Sequence, residues 1–372
     1  MKMKYSVFFE KDDNLKYEIL RTIIHHPGMT VSQNQLFSQL DLSPYRLEQA
    51  VNDLNADFQT LQQPESHIDL TQKGVITGFK LSTLLLQEIS LMYINRSPLF
   101  TVLQYHFFYD HVVTKTLFRE QHFLSKTGFY TAEIKVKQLL QDSDLFDSQT
   151  ASDDPEYTIR LHLFQLFYTL YNGIESPFDE LNDVVQRVLD AIQTISTKQL
   201  LPTQVSKLSI FIRIWLLRIA NKHELNTTLL QEPIDLSPVA AVLEREVSQT
   251  ELDFLGAFLL ATDILPEATK KLVTQVTTVS NKLTETFMRE LMASPLDFSD
   301  SFLEAENIKQ TIAKINIQFF SFYNEPTTFI SPSQVEFFQQ TYPLFDIIIG
   351  RFLQDVANES IVELNRNDQV NL

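Results

Sequence analysis

The chain has no cysteine among its 372 residues. That excludes disulfides, thiolate nucleophiles and cysteine metal sites, and it fits a reducing compartment, so a cytoplasmic location is expected. Glycine is scarce, with 7 residues, and neither a G-x-G-x-x-G turn nor a G-x-x-x-x-G-K-[ST] loop occurs, so nucleotide binding by those devices has no support. No Gly-x-Ser-x-Gly elbow is present for a serine nucleophile. Nowhere do about 20 consecutive apolar residues run together as a membrane span requires. The opening MKMKYSVFFEKDD has too short an apolar run for a signal peptide. A soluble chain is expected, with no membrane partner, no catalytic activity and no cofactor.

Histidine stops early: after His223 there is none. His25 and His26 are adjacent on a helical pattern and point in different directions, a poor chelating geometry. His106 and His111 have only Asp110 nearby, which does not complete a zinc pattern. No metal site is expected.

What the chain has in excess is acid, and unevenly. Its net charge is −17, yet residues 1–141 carry 14 Lys and Arg against 14 Asp and Glu, whereas residues 142–372 carry 16 against 33. An acidic body opposes nucleic acid at long range, while a neutral head with local basic faces can still approach phosphates. Any DNA contact belongs to the first 141 residues. The length suggests two to four domains.

Helical periodicity dominates the head. NLKYEILRTIIHH places Leu15, Ile19, Leu20, Ile23 and Ile24 on one stripe, and Pro27 and Gly28 stop that helix. A second short helix runs from about Ser32 to Leu40 with Leu36, Phe37 and Leu40 apolar, and a third from about Ser43 through Phe58, with Ser43 as cap and Pro44 at its first turn. HIDLTQKGVITGFKLS then reads as a hairpin about Gln72-Lys73-Gly74. Three helices followed by a hairpin describe a winged helix over residues 1–82. The pattern recurs over 83–150, with short helices at 99–110 and 114–122 and a third beginning at FLSKTGFYTAEIKVKQLL.

The two third helices superpose by their caps. Ser43 matches Ser125, Leu47 matches Phe129, Ala50 matches Ala132, Leu54 matches Val136 and Phe58 matches Leu140, all on one helical face. A preceding Leu42 or Leu124 fits a staple at the helix entry. Each helix therefore buries one side and leaves the other free. In helix-turn-helix units the second helix enters the major groove, its N-terminal residues reaching base edges while neighbours hold phosphates. The candidates are Tyr45, Arg46 and Gln49 with wing residue Lys73 in the first unit, and Lys126, Thr127, Tyr130 and Thr131 with Lys135 as a phosphate contact in the second. An exposed lysine on a three-helix unit is also common as a plain solvated face. Glu48, Asp53 and Asp57 repel phosphate unless they face away, so the second unit is the better reader.

DSQTASDDP, residues 147–155, makes a linker. Long amphipathic helices follow at about 156–172, 178–196, 203–222, 249–262, 266–292, 302–322 and 333–357, with a break at LLQEPIDLSP, residues 229–238. The expected fold is mainly α: tandem winged-helix and helix-turn-helix domains, then two all-helical bundles at 151–233 and 234–372. Aromatic-rich segments such as VEFFQQTYPLFDIIIGRF fit either a core or a subunit contact.

LFSQLDLSPYRLEQAVNDLNADF, HFLSKTGFYTAEIKVKQLL and, above all, EYTIRLHLFQLFYTLYNGIESPF at 156–178 resemble the Mga family of virulence and growth-phase transcription regulators of Gram-positive bacteria, which includes the AtxA-like proteins. The resemblance is diffuse and spans nearly the whole chain. It implies two DNA-binding domains that engage double-stranded promoter DNA. Two helical domains like the phosphotransferase-system regulation domain (PRD) would follow, then a domain like an enzyme IIB component. For that last domain the sequence leaves no room: it is truncated, or this member lacks it. Relatives often have Tyr-Arg where Tyr130-Thr131 stands here, so one cationic contact is missing. The resemblance also implies a homodimer, dealings with phosphotransferase-system proteins, and histidine phosphorylation, for which the candidates are His162 and His223. For His162 a partly buried structural histidine is the favoured alternative. The rival functions are a helical protein-interaction module without DNA binding, and a PRD-type RNA-binding antiterminator, whose small β-rich N-terminal domain the helical start here does not suit.

Overall fold

Capping and turn chemistry divide the head into short elements. In the computed structural model, which describes residues 5–70, 72, 74–142, 154–265, 272, 274–294, 306–322 and 339–358, the chain is mainly α-helical with one small three-stranded antiparallel sheet. Lys73 and residues 147–153 of the expected linker lie outside the described residues, as do parts of the expected helices at 266–292, 302–322 and 333–357. Contacts divide the chain into two compact units that part between Gln141 and Asp142. No helix among the described residues is long and apolar enough to cross a membrane.

The head begins with α1 (Lys11–His25), then β1 (Thr30–Ser32), α2 (Gln33–Leu40), α3 (Pro44–Thr60), β2 (His67–Asp69) and β3 (Val75–Phe79). The chain enters α3 through extended Ser43, whose Oγ accepts the Arg46 N–H at 3.3 Å, with Pro44 in the first turn. Leu47, Ala50, Val51, Leu54 and Phe58 of α3 are buried. Strand order is β1-β3-β2, with Val31 opposite Ile76 and Ile68 opposite Gly78. Alternation along the strands turns Val31, Ile68 and Ile76 into the core. Gly74 closes the hairpin at φ 81°.

The second half of the head adds α4 (Thr83–Asn95), α5 (Pro98–Gln104) continued by a π-helical turn (Tyr105–Tyr109), α6 (Lys115–Gln121) and α7 (Lys126–Asp142). Thr114 Oγ1 accepts from the Leu117 N–H at 3.3 Å and Ser125 Oγ from the Gly128 N–H at 3.0 Å, so both helices start on the hydroxyls the sequence offers. Tyr105, Phe118 and Phe129 form the small core beneath α7, their rings 4.8 and 5.5 Å apart at the centroids.

Two features were not expected. Helix α4 begins just after the expected boundary at residue 82, yet it packs on α1 from the other side of that boundary. The inner side of α1 also carries charge: Asp13 and Lys16 are buried, whereas Leu15 and Ile24 are only half-buried. Lys16 Nζ lies 2.6 Å from Asp57 of α3 and 3.1 Å from Asp13, Tyr93 donates its hydroxyl to Asp57 at 2.6 Å, and Arg96 pairs with Asp13. Both cations lie over the Tyr93 ring, at 4.6 and 4.4 Å. This network joins α1, α3 and the end of α4, so the head is one body and not two beads.

The body contains α8 (Pro155–Tyr171), α9 (Asn182–Ile195), α10 (Pro202–Ala220), α11 (Ser237–Val242), α12 (Gln249–Ala261), α13 (Thr274–Met292), α14 (Glu306–Phe322) and α15 (Pro343–Asn358). Phe164 of α8, Phe211 of α10 and Phe258 of α12 meet in one aromatic core, with Phe211 and Phe258 stacked at 3.6 Å. Buried contacts therefore cross the break at 229–238: α12 follows it in sequence and packs with the helices that precede it. Helix α14 continues the layer, with Gln318 donating to the Ala261 carbonyl at 2.7 Å and Lys314 pairing with Asp263 at 2.7 Å. Leu283 of α13 with Phe352, Leu353 and Val356 of α15 form a further cluster.

Candidate nucleic-acid interface

Helix α3 presents Tyr45, Arg46 and Gln49 to solvent at its N-terminal end. The pattern that buries Leu47, Ala50 and Leu54 leaves these residues on the opposite side. Their surroundings are mixed in charge. Arg46 pairs with exposed Asp12 at 3.4 Å, and Glu48 and Asp53 are exposed on the same helix. Asp57 is removed from any such surface, since it belongs to the buried network with Lys16 and Tyr93.

Helix α7 is different. Lys126, Thr127, Tyr130, Thr131, Ile134 and Lys135 are all exposed, following one another at i, i+1, i+4, i+5, i+8 and i+9. Among the described residues neither Lys126 nor Lys135 is ion-paired. The single carboxylate well inside the helix, Glu133, is half-buried and turned toward Lys115 of α6 at 2.6 Å and Lys137 at 3.6 Å. The hydrogen bond to Glu133 holds the Lys115 ammonium above its ordinary range. Burial pushes Glu133 up, but the Lys115 hydrogen bond and charge outweigh it and hold the carboxyl below the usual carboxylate range. The outward arc of α7 is therefore cationic without an exposed acid.

Lys115 was not foreseen as part of this surface. Its Nζ lies 5.7 Å from the centroid of the Tyr130 ring, which is 43% exposed. A lysine just after a threonine cap on the preceding helix gives no periodic signal, so only the folded helix pair places it beside Tyr130.

In the body, His162 and His223 are both half-buried. Burial pushes the His162 imidazolium down to about 4, against a weaker upward pull from its hydrogen bond with Gln165, so the ring is neutral near pH 7. The His223 carbonyl accepts from Arg160 Nη2 at 2.6 Å, which ties that loop to the buried charge network of α8. Comparison of the sequence with known protein families finds no family model that matches, and comparison with curated proteins finds no significant match.

Proposed function

We propose that the chain is a DNA-binding transcription regulator without catalytic activity. The order α1-β1-α2-α3-β2-β3 with the sheet ordered β1-β3-β2 is that expected of a winged helix. The repeat of cap, turn and buried face in α6 and α7 suits a second helix-turn-helix. The observation that carries the reading is the outward arc of α7, where Lys126 and Lys135 flank Thr127, Tyr130 and Thr131 with no exposed acid among them. On this reading α7 is the main groove helix and α3 is secondary. The acidic body plays the part of PRD-like regulatory domains, and two copies pair to read spaced half-sites. Such a regulator works in the cytoplasm, and phosphotransferase-system proteins are its natural signalling partners.

The test is a fluorescence-anisotropy titration of the full chain against labelled promoter fragments at several salt concentrations. Each lysine that neutralises a phosphate contributes about 0.9 to the slope of log affinity against log salt. Lys126→Ala and Lys135→Ala should each flatten the slope by about that amount and weaken binding evenly across sequences. Binding by both variants that matches the parent would remove these residues from the interface. Absent or salt-insensitive binding by the parent would sink the DNA reading itself.

One observation favours a second reading, a helical module that binds other proteins. Leu117, Tyr130 and Ile134 are large apolar groups exposed on α6 and α7, as a docking surface requires. It predicts the salt-insensitive outcome of the same titration.

A further inference from the structure

Phe123, in the turn between α6 and α7, combines two unfavourable features. Its side chain is 95% exposed, and its backbone lies at φ 54°, in the left-handed region that residues with a bulky Cβ substituent rarely adopt. The bonds around it explain the backbone. Leu124 donates its N–H to the Arg119 carbonyl at 2.8 Å and Phe123 donates to the Glu120 carbonyl at 3.3 Å. These paired bonds close α6 in a Schellman turn, with Phe123 at the position where glycine is usual. They explain nothing about the ring.

The chain contains its own control. Between α2 and α3 the same step is taken by Asp41 at φ 50°, followed by Leu42 and the cap Ser43 as Phe123 is followed by Leu124 and Ser125. Leu42 likewise donates back to the Phe37 carbonyl, at 3.3 Å. A solvated aspartate thus serves the turn, so the turn does not call for an aromatic. Phe178 adopts a similar backbone at φ 58°, but its ring is half-buried and lies 5.1 Å from Phe167. Packing explains Phe178 and leaves Phe123 unexplained. A residue that is strained and exposed where a polar one would do points to a contact outside the chain.

Position and charge indicate what that contact is. Phe123 stands three residues before Lys126, the first residue of α7, at the end of the helix that approaches base edges on the DNA-binding reading. We propose that Phe123 is a DNA-contacting residue whose ring packs on base and sugar edges at the mouth of the groove that α7 enters. This rests on the function proposed above and deepens it. The lysines supply the salt-dependent part of affinity, and the ring supplies an apolar, salt-independent part. The unpaired cations of the adjacent arc complement a polyanion rather than an apolar protein surface.

The full chain and its variants are titrated across salt with a fluorescein-labelled, mixed-sequence duplex of about 40 bp, because aromatic contact with bases is largely sequence-tolerant. Phe123→Gly relieves the left-handed backbone, so its melting temperature should equal or exceed the parent's. Its dissociation constant should nevertheless rise at least about tenfold at every salt concentration with an unchanged slope. Phe123→Tyr, which keeps the ring, should bind as the parent does. Parental affinity in Phe123→Gly would overturn the proposal while leaving the DNA reading intact, and would assign the ring to a protein partner. A changed slope with a parental intercept would overturn it as well. If the parent shows no salt-dependent binding, the proposal and the reading beneath it fall together.

Discussion

The buried charges of the body allow a sharp test of which helices belong together. Glu251 of α12 is 0% exposed and accepts four hydrogen bonds: from Arg160 Nη1 at 2.5 Å and Nη2 at 2.8 Å, from Trp215 Nε1 at 2.9 Å, and from the Leu225 N–H at 2.8 Å. Arg160 also reaches Glu156 at 2.8 Å, and Glu156 pairs with Arg218, so two carboxylates and two guanidiniums neutralise one another out of water. Glu251→Gln keeps the shape but removes one negative charge, and its amide N–H groups must face a donor. Breaking one partner of a buried pair costs about 3–5 kcal/mol. With a urea m-value of about 2–3 kcal/mol/M, the unfolding midpoint should fall by about 1–2 M. Trp215 is the single tryptophan and lies in this network, so its emission reports the body alone. A midpoint shift under about 0.3 M with unchanged emission would refute the reasoning, because Glu251 would then not be holding Arg160 and α12 would not be integral to the bundle of α8 and α10.

Two further outcomes follow from single sites. The His162 imidazolium is pushed down to about 4, against 6.5 in the unfolded chain, so below pH 6.5 the unfolded state binds more protons. Stability that is complete above that pH is lost as pH falls toward 4, by at most about 3 kcal/mol, and His162→Gln should flatten that limb when Trp215-monitored urea midpoints are compared at several pH values. A pH limb unchanged by the substitution would count against a depressed His162. In the head, a Cβ added at Gly78 would meet the Leu81 side chain and lie 2.8 Å from Ile23 Cγ2; Gly78→Ala should cost about 1–3 kcal/mol, and an unaltered thermal melt of the head by circular dichroism would contradict that packing.

Local signals made most of the head legible. Ser43, Ser125 and the proline at the start of α3 mark helix entries by chemistry that works within one turn of chain, and the apolar offsets that pair Leu47 with Phe129 correspond to buried faces in both helices, except that Leu140 at the end of the α7 series is only half-buried. Charge buried by partners distant in sequence was not legible. Asp13 and Lys16 interrupt an apolar stripe and read as surface residues until α3 brings Asp57 and α4 brings Tyr93 beside them. Glu251 likewise reads as a first-turn helix acid, which it is, and nothing near it in sequence reveals Arg160. Helix α4 carries little periodic signal for a related reason: it is apolar on most sides, with Leu85, Leu86, Ile89, Leu91, Tyr93 and Ile94 buried, so it has almost no polar face to mark a period.

The same distinction bears on which helix could read DNA. A head with equal numbers of acids and bases looks neutral, but a duplex meets only the charges that reach water, and several of these do not. Asp13 and Asp57 are neutralised by Lys16 and Arg96, and Glu133 is held against Lys115 and Lys137. On α3, what remains outside is Arg46, already paired with Asp12, beside exposed Glu48 and Asp53. On α7, Lys126 and Lys135 remain with no exposed acid between them. The cationic face of α7 comes from its lysines together with the inward turn of Glu133, the one acid well inside that helix. Two helices with matching caps and similar buried sides thus differ in the property that matters for binding phosphate: tertiary partners withdraw one acid from each, Asp57 and Glu133, which leaves Glu48 and Asp53 exposed on α3 and no exposed acid between the lysines of α7.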